Sequence, residues 1–80
     1  MTSAYVFIQV AGLSDRNALE ALHAGLHAVG GVKTVHFAAG PTDVIVFVEA
    51  ADQAALLEAL AGLRAVPGVA STDTRIVWPL

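Results

Sequence analysis

The sequence predicts an α+β domain in which a four-stranded antiparallel sheet carries two helices on one face, and three observations lead there. The chain repeats itself: Val6–Val10 (VFIQV) and Ala18–Leu22 (ALEAL) match Val44–Val48 (VIVFV) and Leu56–Leu60 (LLEAL) at an offset of 38. Leu26–Thr34 (LHAVGGVKT) matches Leu63–Ser71 (LRAVPGVAS) at an offset of 37, so one single-residue gap reconciles the copies. Within each copy the apolar pattern passes from strand alternation to the three-and-four spacing of a helix. The copies meet at a short turn, Gly40-Pro41-Thr42-Asp43, between two apolar runs. Strand-helix-strand twice over, with right-handed crossovers and a central hairpin, is the ferredoxin-like βαββαβ arrangement, its strands lying side by side in the order 4-1-3-2.

Each element has its own local reason. Tyr5 to Val10 is β-branched and aromatic and reads as the first strand. Ser14 can N-cap a helix whose Leu19, Leu22, Leu26 and Val29 share one face. Gly30-Gly31 stops that helix, and Val32 to Phe37 reads as the second strand. Asp43 to Glu49 is the third strand. Asp52 can cap a second helix with Leu56, Ala59, Leu60 and Leu63 on its inner stripe. Pro67-Gly68 ends it, and Thr72 to Trp78 forms the last strand. If Val6, Ile8, Val10, Val44, Val46 and Val48 point at the helices, strand alternation turns Tyr5, Phe7, Gln9, Ile45, Phe47 and Glu49 to the other face.

That second face implies association. Charged residues make up 14% of the chain and apolar ones 56%, against roughly a quarter charged in typical soluble domains. So little charge cannot cover the exterior of one small 80-residue domain. A face bearing Tyr5, Phe7, Ile45 and Phe47 is expected to pack against a second copy, giving at least a homodimer. The net charge of −3 with only four Lys and Arg excludes direct DNA binding, which needs a clustered basic face. The absence of cysteine excludes disulfides and thiolate metal sites. No apolar run is long enough to span a membrane, and MTSAYVFIQVAG lacks the basic start of a secretory signal, so a cytoplasmic protein is expected.

The candidate chemistry is sparse. Glu20, His23 and His27, at i, i+3 and i+7, have a spacing that could face a metal, yet they flank the leucine stripe as amphipathic side chains commonly do. His36 stands beside Phe37 with no acid or nucleophile near it in sequence and reads as packing. No nucleophile elbow or phosphate loop occurs, so no catalytic residue, metal or cofactor is expected. Two polar clusters remain, Gly40–Asp43 and Ser71-Thr72-Asp73-Thr74, and the strand order carries both to the same edge of the molecule. Turn N–H groups suit a carboxylate, while Asp43 suits an ammonium group, so together they could hold a small zwitterion.

The same residues carry a resemblance. AYVFIQV, LHAVGGVKTVHFAAGPTDVIVFVEA and LRAVPGVASTDTRIV resemble, in order and over nearly the whole chain, the ligand-binding domain of the Lrp/AsnC transcriptional regulators. Its marks here are the Gly-x-x-Asp turn, the V-x-G-V-x-x-V run before it and the STDT strand. The resemblance implies amino-acid sensing by a domain of 1–80 without the DNA-binding helix-turn-helix that precedes the module in full regulators. It implies sheet-to-sheet dimers assembled into octamers or decamers, with the effector held between dimers. Carried over by motif, Gly40, Pro41, Thr42 and Asp43 form the binding loop, with Ser71, Thr72 and Thr74 as contributors. Thr42 departs from the family's bulky aromatic at that place. The alternatives are a structural oligomer that co-assembles with a full-length regulator, or a small ferredoxin-like dimeric monooxygenase.

Overall fold

The computed structural model describes residues 1–11, 15–38 and 43–78. Its elements, in chain order, are β1 (Thr2–Val10), α1 (Arg16–His27), β2 (Val32–Phe37), β3 (Val44–Ala50), α2 (Gln53–Ala65) and β4 (Val69–Val77). The four strands form one antiparallel sheet in the order β2-β3-β1-β4. Read from its other edge, this is the expected 4-1-3-2 of a ferredoxin-like fold.

Alternation sorts the strands into two faces. Ala4, Val6 and Ile8 of β1 and Val44, Val46 and Val48 of β3 are completely buried, joined from β2 by Val35. Leu22 and Leu26 of α1 and Leu56, Ala59, Leu60 and Leu63 of α2 close the core from one side of the sheet. No polar or charged side chain is buried among the described residues. Removing each large aliphatic side chain from water contributes about 1.5–3 kcal/mol, so the core alone orients the sheet. On the far face the Tyr5 and Phe47 rings lie 4.9 Å apart, and Tyr5 is 46% exposed.

Several details differ from the expectations. The side chain that caps α1 is Asp15, whose Oδ1 accepts from Ala18 N at 2.8 Å; Ser14 lies outside the described residues. Either residue type serves as an N-cap, and the register of the helix selects between neighbours. Asp52 caps α2 in the same way, accepting from Ala55 N at 2.8 Å. Leu19 is not in the core: it is 36% exposed and lines a shallow concavity with Arg16, Glu20, His23 and Phe37. β4 begins three residues before the expected Thr72, because pairing with β1 continues past a register shift between Gln9 and Val10. His36, expected to be packed, is exposed opposite Ile45 on the outer face.

Candidate functional site

The end of β1 is where the polar residues gather. Asp43 immediately precedes β3 and reaches β1 on both sides of Gln9. Its N–H donates to Ile8 O at 3.2 Å, and its carboxylate Oδ2 accepts from Val10 N at 3.2 Å. Its carbonyl accepts from Ala38 N at 2.9 Å, which ties together the two ends of the connection between β2 and β3. Asp43 is half-buried there. Gly40, Pro41 and Thr42, the rest of the expected binding loop, lie outside the described residues.

Ser71 joins this edge from the other side. It pairs with Gln9 across β1 and β4, and its Oγ donates to Gln9 Oε1 at 3.3 Å. Gln9 is therefore flanked by Ser71 on one side and by the Asp43 contacts on the other. It is a polar group that sequence reasoning passes over as a candidate, although alternation in VFIQV turns it outward at the strand's end.

Thr72 and Thr74 do not share this side with Ser71. They pair with Ile8 and Val6, so pleating sends them to the helix side of β4, where both are half-buried. Asp73 and Arg75 occupy the outer face, opposite Phe7 and Tyr5. Arg75 donates from Nε and Nη2 to Asp73 Oδ2 at 3.3 and 2.9 Å, and its guanidinium carbon stands 5.2 Å from the centre of the Phe7 ring. The hydrogen bond to Asp73, and secondarily its charge, raise the Arg75 pKa above its ordinary value.

The histidine group on α1 comes together in part. The His23 and His27 rings meet edge-on at 4.5 Å, and His23 lies 5.9 Å from Phe37 of β2. The Glu20 carboxylate instead accepts from Arg16 Nε at 3.2 Å, an exposed pair one helical turn apart. Among the described residues, no three His, Asp or Glu side chains converge as a metal site would require. No helix among them is long and apolar enough to cross a membrane.

With this geometry in place, known proteins offer a comparison. The sequence pattern of the Lrp/AsnC ligand binding domain matches residues 3–78. No curated protein matches the sequence. Among solved structures, the Thermus thermophilus protein TTHA0845 is 26% identical over 100% of this chain and 96% of its own, with a TM-score of 0.83. E. coli AsnC gives a TM-score of 0.82 at 18% identity over 99% of this chain. The feast or famine regulatory protein of M. tuberculosis, complexed with L-methionine, gives 0.79 at 24% identity over 100% of this chain. This chain spans 52% of the length of each of the last two, and at such identities the likeness is one of fold.

Proposed function

Because the chain belongs to the Lrp/AsnC ligand-binding domain family, we propose that it is an oligomeric module that binds an α-amino acid at the end of β1. The observation that carries this reading is the position of Asp43, a half-buried carboxylate held by Val10 N–H beside Gln9 and Ser71. The M. tuberculosis relative complexed with L-methionine supports the ligand class.

In this reading the ammonium group of the ligand meets Asp43, and its carboxylate meets backbone N–H groups of the Gly40–Asp43 turn. Pro41 supplies no N–H and the Asp43 N–H already donates to Ile8 O, so this reading assigns the carboxylate to the N–H groups of Gly40 and Thr42. Ser71 reaches the ligand from the β4 side. Thr72 and Thr74 would contribute only to a ligand that passes round the β4 edge. Thr42 stands where the resemblance implies a bulky aromatic, so in this reading the preferred ligand side chain differs from that of the family's pattern.

A thermal-shift screen against the twenty amino acids tests the reading, since a ligand of the folded state raises the melting temperature by mass action. At least one amino acid should stabilise the protein, and Asp43→Ala should then weaken its binding roughly tenfold or more through loss of a charge-assisted bond. If none of the twenty shifts the melting temperature, amino-acid binding is wrong. If folded Asp43→Ala binds as tightly as the parent, the site is wrong.

A second reading is favoured by the aromatic outer face: an assembly partner that joins a full-length regulator through its sheet. Mixing with such a regulator and measuring the mass of the assembly would distinguish it, because this reading requires a mixed species and no amino acid.

A further inference from the structure

We propose that His23 and His27 form an open two-imidazole chelate for a divalent transition-metal ion of the copper(II) class, on the flank of α1 beside β2. The inference is independent of the amino-acid reading, which concerns the end of β1.

Spacing is the first argument. Residues four apart are neighbours on one side of a helix, and zinc-binding helices place two histidines at this same interval. The structure brings the pair together, with the ring centres 4.5 Å apart. Two imidazoles bound at right angles to one ion, each at a metal–nitrogen distance of about 2 Å, have centres roughly 4.5 Å apart. Chelation therefore asks for rotation of the rings and no shift of the backbone.

Exposure is the second argument. Leu22 and Leu26, each adjacent to one of the pair, are buried, whereas His23 is half-buried and His27 exposed. Neither imidazole is spent on the core, and both can meet an ion from solvent. The His23 ring also lies 5.9 Å from Phe37 of β2, so one ligand is positioned before the ion arrives. His27 stands in the last turn of α1, where the helix dipole favours a cation.

The number of ligands sets the class of ion. Glu20 precedes His23 by three residues, but its carboxylate takes Arg16 Nε at 3.2 Å. No third His, Asp or Glu joins the imidazoles among the described residues, so water completes the coordination. A structural zinc site is closed by four protein ligands, and this open pair falls short of one. Tetragonal coordination by nitrogen and oxygen suits copper(II), which also heads the order of affinities for such donors.

Calorimetric titration of the full, untagged chain with copper(II) tests the proposal. One ion should bind tightly per chain, and its electron paramagnetic resonance should be tetragonal and split by two imidazole nitrogens. His27→Ala should weaken binding by about tenfold or more, because the second imidazole acts at high effective concentration, and should leave the splitting of one nitrogen. His23→Gln should do the same, and serves as the second variant if circular dichroism shows His27→Ala to be poorly folded. Glu20→Gln should bind like the parent, as should His36→Ala, which alters the outer face of the sheet. Equal affinity in the parent and both imidazole variants, a parent signal without the second nitrogen, or zinc bound more tightly than copper would overturn the proposal. A loss of affinity in Glu20→Gln or His36→Ala would overturn the assignment to this pair.

Discussion

Gly31 turns at φ 95, and a Cβ added there would stand 2.9 Å from the backbone oxygen of Glu49. Gly30, beside it, has nothing within 4 Å of the same position. Gly31→Ala should therefore cost on the order of 1–3 kcal/mol from the left-handed backbone alone, with the clash adding to it. Gly30→Ala should be close to neutral. Thermal melts of the two variants check the contrast, at roughly 4–8 °C for each kcal/mol in a domain of this size; equal losses would refute it. From sequence, Gly30-Gly31 reads only as a stop, since which glycine turns depends on where Glu49 comes to lie. The candidate site has the same limit. Ser71, Thr72 and Thr74 read as one cluster by residue type, and the pairing of Ser71 with Gln9 and of Thr72 with Ile8 is what parts them.

The helices owe their start points to carboxylates. Asp52 accepts from Ala55 N at 2.8 Å, so Asp52→Ala should cost about 1 kcal/mol, seen as a lower melting temperature with an otherwise unchanged spectrum. A variant melting with the parent would mean that water satisfies the N–H groups at the start of α2 equally well. α2 is legible in the sequence because a lone capping residue precedes an unbroken apolar stripe. For α1 the sequence points to Ser14 as the cap, whereas the structure uses its neighbour Asp15. Leu19 looks like part of the stripe by spacing, but it lies one turn N-terminal to Leu22, where the helix has run out over the edge formed by Phe37. β4 is longer than its composition suggests: Ala70 and Ser71 are weak strand formers, recruited by nine residues of β1 alongside them.

At the scale of the whole molecule the fold is the most legible feature, because duplication and alternation are properties of long runs and single misassignments do not disturb them. The same alternation yields the outer face, where Phe7 pairs with Ile45 and Tyr5 with Phe47. If copies meet there, replacing both Phe7 and Phe47 with Lys would place charge in the contact, and the assembly should fall to single chains by light scattering. Both residues are only half-buried in the single chain, so the variant should keep its circular dichroism. A parent that scatters as a monomer at micromolar concentration would refute the expectation. The aliphatic core, with no polar group buried among the described residues, supplies the rigid platform on which β1 presents its polar end.

The register that sets Ser3 against Val77 leaves the start of β1 beside the finish of β4. Joined at that corner and opened between β2 and β3, the path would run β3-α2-β4-β1-α1-β2, again strand, helix, strand, strand, helix, strand. Renumbered from its new beginning, the observed sheet order β2-β3-β1-β4 becomes 4-1-3-2 once more. The route of the backbone is thus a loop with two interchangeable starting points. Gly31 and Gly68, at φ 95 and 99, mark the corresponding bend on each half of it. Side chains such as Asp43 and Arg75, which have no counterpart of like chemistry in the other half, are what distinguish the two halves of the loop.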